Sequence, residues 1–236
     1  MLFEQVKRTH VGCRRKVNED ALLARQDLGL WAVADGVGGH TAGDLASALV
    51  VDRLAHAVAG PELSTRKKAA KAAIEDANSA LWQMATESLR TIGSTIVALA
   101  IGDGGFSCLW AGDSRAYLLR DGGLRQLTRD HSLVQQLVDS GDLEPQAAID
   151  HPNANIITRA VGSAPSLELD IVEGDIRAGD RFLLASDGLT RLLREDELAA
   201  AQNADDLELL ADRWVEIALE RGAPDNLSFV LVQVRP

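Results

Sequence analysis

The stretch WAVADGVGGH, Trp31 to His40, decides how this chain is read. Four mostly apolar residues, Trp31-Ala32-Val33-Ala34, run straight into Asp35-Gly36, and Gly38-Gly39 follow. A short apolar run bounded by Asp and Gly has the character of a buried strand. A carboxylate at the end of such a strand borders an apolar interior, where an isolated charge is costly unless something compensates it.

The pattern recurs along the chain. FLLASDGL sets Asp187-Gly188 after Phe182–Ala185, and CLWAGDSRAY sets Asp113 after Leu109–Ala111. APDNLSFVLV sets Asp225 before an apolar run, and NED, Asn18 to Asp20, precedes ALLA. One Asp-Gly pair is an ordinary turn; Asp103-Gly104 and Asp121-Gly122 are read as turns and nothing more. Asp35, Asp113, Asp187 and Asp225 together are different. If their strands lie side by side, the carboxylates meet at one sheet edge, where like charges raise one another's pKa. A cation must then compensate. These motifs hold no histidine or thiolate ligand, and an all-oxygen set favours Mg2+ or Mn2+ with waters completing an octahedron. Two such ions ~3.5–4 Å apart can share a bridging carboxylate and activate one water. On this reading Gly36 and Gly188 clear space for a backbone carbonyl and for substrate. RRKVNED adds Arg15, a candidate for a planar grip on phosphate, while Arg14 is read as a solvated residue.

Further strands are expected at Leu28–Ala34, Ser94–Ile101, Phe106–Ala111, Ala116–Arg120, Arg181–Ser186 and Ser228–Val234. Helices are expected at Asp44–Ala59, Thr65–Arg90 and Asp205–Arg221, the last closed by Gly222 with Pro224 beyond. Strands gather in antiparallel-looking clusters with long helices between them, which suggests α+β layers. Residues 130–162 are more polar and irregular, and read as an insertion over the core.

The 236 residues are 46% hydrophobic, enough for a sizeable core, and neither a linker nor an internal repeat divides them, so one domain spanning 1–236 is expected. Against 24 Lys and Arg stand 35 Asp and Glu, a net charge of −11 that argues against nucleic-acid or anionic-membrane partners. The N-terminal MLFEQVKRTH has no signal-peptide core, and no apolar run reaches the ~20 residues of a membrane span. A cytoplasmic location is expected, with Cys13 and Cys108 as buried free thiols. A GxxxxGK[ST] loop and an EF-hand loop are both lacking, which disfavours ATP-driven chemistry and calcium sensing.

RKVNED, VADGVGGH, GSTIVALAI, WAGDSRAYLLRDG, LTRDHSLVQQLV, HPNANIITRAVG, LLASDGLT and APDNLSFVLV stand in that order. Together they resemble the metal-dependent protein phosphatases, the protein phosphatase 2C family, in its bacterial single-domain form. The resemblance implies a four-layer α-β-β-α sandwich, two antiparallel sheets flanked by helices, with a small flap at about 130–162. It implies hydrolysis of phosphoserine and phosphothreonine in proteins by direct attack of a metal-bridging water, opposing a Ser/Thr kinase, by a monomer. Asp35 matches the bridging ligand of two Mn2+ or Mg2+ ions, and Gly36 offers its carbonyl. Asp187 and Asp225 match ligands of one ion; Glu19 holds water on the other, with Asp20 orienting its surroundings. Arg15 matches the phosphate-gripping arginine. Asp113 matches the ligand of a third, weaker ion, shared with Asp187. One departure stands out: animal members place a histidine directly after Asp-Gly, where this chain has Val37. His40 is a candidate proton donor, with a helix-start role as its alternative; His131 and His151 lie where they could approach substrate, and His10 and His56 are read as structural. Two alternatives remain, a non-catalytic binding relative of the same fold and a phosphoesterase for non-protein substrates.

Overall fold

A computed structural model describes residues 2–38, 42–57, 60–148 and 151–235. The chain begins with strands β1 (Leu2–His10), β2 (Asp20–Arg25) and β3 (Leu30–Val37), then helices α1 (Gly43–Ala55) and α2 (Leu63–Ser88). Strands β4 (Gly93–Ser94), β5 (Ile96–Gly102), β6 (Gly105–Ala111), β7 (Arg115–Arg120) and β8 (Gly123–Gln126) follow. Short helices α3 (Leu133–Ser140) and α4 (Pro145–Ala148) precede β9 (Asp170–Asp175) and β10 (Arg181–Ala185). The chain closes with α5 (Asp187–Thr190), α6 (Glu195–Ala199), α7 (Leu207–Glu220) and β11 (Leu227–Arg235).

Two antiparallel sheets result. One has the order β1-β11-β10-β7-β8; the other has β2-β3-β5-β6-β9, with β4 paired to β3. The side-chain period of two explains the stacking. From β10, Phe182 and Leu184 join Trp31, Val33, Val97 and Val230 between the sheets. Leu183 and Ala185 face the other way, with Trp214 and Ala218 of α7. From β3, Ala32 and Ala34 turn outward onto Val50 and Leu54 of α1 and Ile74 and Leu81 of α2. Three buried clusters thus separate four layers, and central strands apolar on both faces read as unbroken hydrophobic runs. The α+β sandwich expected from the motif order is the fold observed.

The expected elements need four corrections. Strand β3 continues through Asp35 to Val37, because Gly36 and Val37 pair with Ser94 and Gly93. Helix α1 ends at Ala55, short of the expected Ala59. Strands β1, β8 and β9 were not singled out by the apolar pattern. Cys13 is exposed and only Cys108 is buried; both are free thiols. Asp103-Gly104 and Asp121-Gly122 are the turns they were read to be, both residues of each pair taking positive φ as a tight hairpin requires. Among the described residues no helix is long and apolar enough to cross a membrane.

Candidate metal centre

The β2–β3 register sets Asp20 directly opposite Asp35. Like charges in that position repel, yet the chain builds the pair in and adds to it. Asp187 opens α5 just past the end of β10 and Asp225 lies just before β11, the strand paired to β10. Asp113 occupies the loop from β6 to β7. A cavity of about 250 Å³ is lined by Arg15, Glu19, Asp35, Asp113, Asp187 and Asp225, together with Gly36. Seven of the residues singled out in the sequence therefore line one space. Asp20, opposite Asp35 in the register, is not among the lining residues, and His40 falls outside the described residues.

The electrostatics of this space favour a cation. Burial holds the Asp35 carboxyl well above the usual carboxylate range, and Asp20, Asp187, Asp113 and Asp225 push it further the same way. Burial raises Asp20 to about 7, opposed by hydrogen bonds from Ser228 and Ser186. Burial likewise raises Asp113 to about 7, with Asp187 and Asp130 adding to it and Arg191 opposing. Asp187 is raised by burial first; there Arg191 opposes and Asp225 adds. Asp20 accepts from the Ser186 hydroxyl at 2.9 Å through Oδ2, while its buried Oδ1 has no partner among the described residues.

Backbone contacts fix the oxygens in place. The Asp35 N–H donates to Thr95 Oγ1 at 3.1 Å, and the Thr95 N–H donates to the Asp35 carbonyl at 2.8 Å. The Gly36 N–H donates to the Glu19 carbonyl at 3.0 Å. A Cβ on Gly43 would stand 2.5 Å from Glu19 Oε1 and 3.0 Å from the Gly36 carbonyl oxygen, so those two oxygens converge on the start of α1. The glycines also have a reason of packing. A Cβ on Gly36 would fall 2.0 Å from the Gly43 carbonyl, and one on Gly188 would fall 1.8 Å from the Asn226 carbonyl. Close approach of the protein's own backbone excludes side chains at both positions.

Arg15 stands at the mouth, half exposed, with one contact to Asp225 Oδ2 at 2.6 Å. A guanidinium carries five donors, so most of its donors remain for another anion. Among the described residues no histidine lines the cavity. The His131 Nδ1 accepts from the Gly112 N–H at 3.1 Å, and the His131 N–H donates to the Gly112 carbonyl at 2.9 Å. That histidine clamps the turn carrying Asp113 instead of approaching the cavity. His151 is tied locally, its Nδ1 accepting from the Asn153 N–H at 3.1 Å.

Sequence reasoning missed Asn226. Its Oδ1 accepts from the Glu19 N–H at 2.8 Å, and its amide donates to the Val11 and Val17 carbonyls at 2.9 and 3.0 Å. It locks the Asn18–Asp20 loop to the start of β11; its only signal was a polar residue opening an apolar strand. Arg191 was also missed, although its place four residues after Asp187 on a helical turn was a usable signal.

The donor chemistry fits hard divalent cations: carboxylate and carbonyl oxygens only, an excess of negative charge, and an orphaned buried oxygen. Among the described residues no three acidic, histidine or cysteine side chains form a tight ready-made chelate. The carboxylates instead surround a cavity, an arrangement suited to ions that keep several waters.

A family model described as protein phosphatase 2C matches residues 12–231. The serine/threonine protein phosphatase PstP of Mycobacterium tuberculosis is 37% identical over 99% of this chain and 45% of its own length, so the chain spans less than half of that relative. The serine/threonine phosphatase stp of Listeria monocytogenes is 34% identical, covering 96% of this chain and 94% of its own. The structure of PppA, described as a key regulatory component of T6SS in Pseudomonas aeruginosa, superposes with a TM-score of 0.92 at 41% identity, covering 99% and 98% of the two chains. The catalytic domain of PstP in complex with two manganese ions superposes with a TM-score of 0.86 at 34% identity, covering 99% of each chain.

Proposed function

Because the chain belongs to the protein phosphatase 2C family, we propose that it is a protein serine/threonine phosphatase. Its substrates are proteins phosphorylated on serine or threonine, and it opposes the Ser/Thr kinase that marks them. The observation that carries this reading is the convergence of buried, mutually repelling carboxylates on one cavity with a half-free arginine at its mouth.

Asp35, the Gly36 carbonyl, Asp187 and Asp225 would hold two Mn2+ or Mg2+ ions, with Glu19 and Asp20 orienting the waters that complete the coordination and Asp113 on the side facing residues 154–155. Ions bound there supply Lewis acidity to phosphoryl oxygens and lower the pKa of a water towards ~7. The protein's part is preorganisation. Buried Thr95 and Asn226 hold the Asp35 backbone and the Glu19 loop rigid, so no reorganisation is needed as charge develops. Arg15 swings no long distance to reach a phosphate, since it already bridges to Asp225 at the entrance. It orients the phosphoryl group and balances its charge.

Mn2+-dependent release of phosphate from a phosphothreonine peptide tests the assignment. Asp35→Asn and Asp187→Asn are expected to lose nearly all of it. A near-wild-type rate in either variant would remove the site from consideration.

A further inference from the structure

Arg191 carries the contacts that matter here. It lies at the C-cap of α5, four residues after Asp187. Its Nε is 3.1 Å from Asp187 Oδ2, and one terminal nitrogen is 3.7 Å from Asp113 Oδ2. The same guanidinium donates to the Ala154 carbonyl at 2.9 Å and to the Asn155 side-chain carbonyl. One cation thus touches buried Asp113, half-buried Asp187 and two residues of the segment between α4 and β9. Asn155 itself lines the cavity. Arg191 opposes the rise at Asp113, whereas after burial the largest influences on Asp35 are other carboxylates.

We infer that Arg191 is a built-in counter-cation for the Asp113–Asp187 edge and a tether for residues 154–155, so that a divalent ion can bind between these two carboxylates only after Arg191 leaves. The inference rests on the two-ion centre proposed above. The physical reason is competition for the same oxygens. A guanidinium fork placed by its own helical turn has little entropy left to lose, and a divalent ion must displace it to gain the same ligands. Departure of the fork also breaks both contacts to Ala154 and Asn155. Occupancy of that edge and order of the loop lining the cavity are therefore coupled, with Arg191 as the shared element. Arg191 acts through the carboxylates and the loop, as a positioning residue.

Two measurements on the full chain test this. Calorimetric titration with Mn2+ is expected to give two ions per wild-type chain and three for Arg191→Gln, the added site at least tenfold tighter than any further binding to wild type. Arg191→Lys keeps the charge but loses the fork. It is expected to retain the wild-type stoichiometry, while amide exchange at Ala154, Ile156 and Thr158 rises at least tenfold. Equal stoichiometry of two and equal affinity in wild type and Arg191→Gln overturn the counter-cation role alone. Unchanged exchange in Arg191→Lys overturns the tether. A wild type that binds no Mn2+ overturns the proposed centre and this inference with it.

Discussion

The two ends of β10 each carry an aspartate, and the protein treats them in opposite ways. Asp180, just before the strand, is 2% exposed. Arg120 forks onto both its oxygens at 2.8 and 2.7 Å, and the Arg177 N–H donates to it at 2.7 Å. Asp187, just past the other end, is half-buried and faces Asp35, Asp113 and Asp225. The first end is a closed ionic device, complete without help. The second is left with more negative charge than the protein neutralises. The strand is the same and so is the residue type; partners alone separate a structural carboxylate from one proposed to hold a metal ion. The two arginines differ in parallel: Arg120 donates also to the Asp175 carbonyl at 2.7 Å, whereas half-exposed Arg15 has the single contact to Asp225.

The comparison is easiest to break by its strongest consequence. Asp35→Asn should lower the Mn2+-dependent rate by on the order of a thousandfold, measured on a phosphothreonine peptide, while Asp180→Asn leaves kcat near wild type. If both lose activity alike, the two ends are not functionally distinct. Next in size, Asp180→Ala strands the Arg120 guanidinium and should cost about 3 kcal/mol of stability in urea unfolding. Arg15→Ala should leave stability unchanged and raise KM about tenfold with kcat largely kept, as expected for a lost substrate grip. An unchanged KM removes Arg15 from the phosphate site.

The smallest effect sharpens the contrast most. In metal-free protein Asp35→Asn should raise stability by about 1 kcal/mol, opposite in sign to the change at Asp180. The pH dependence has a definite direction. A carboxyl whose folded pKa is raised binds its proton more tightly in the folded state, so its stabilising contribution is present below the unfolded pKa of ~3.9 and is lost as pH rises through the folded value. The gain from Asp35→Asn should therefore grow with pH, and saturating Mn2+ should erase it. A gain that shrinks with rising pH contradicts the raised pKa of Asp35.

What could be read in advance follows from where the chemistry lies. Central strands such as Arg181–Ala185 are buried on both faces, so they announce themselves as apolar runs with an aspartate beside them. Edge strands do not. In β9 (DIVEGD) exposed and half-buried residues alternate, and β1 (LFEQVKRTH) carries charges that keep a sheet edge from pairing with other chains. The same holds in the centre. Asp35, Asp187 and Asp225 were legible because a charge beside a buried strand needs a reason. Asn226 was not, because the Glu19 loop it holds lies about two hundred residues away, and Arg191 had a local signal only toward Asp187, its contacts to Asp113, Ala154 and Asn155 being tertiary. The packing at the glycines was hidden for a related reason. Which backbone approaches Gly36 is a tertiary fact, and it turned out to be Gly43.

The pairing of β1 with β11 along Leu2–His10 and Leu227–Arg235 brings Arg15 to Asp225 and Glu19 to Asn226, contacts separated by 210 and 207 positions. During translation, then, a ribosome that has not yet released Asn226 holds a polypeptide in which Arg15 and Glu19 lack these partners. On the proposed reading, a product cut before Asp225 lacks both that carboxylate and the Asn226 clasp on Glu19 and would release no phosphate.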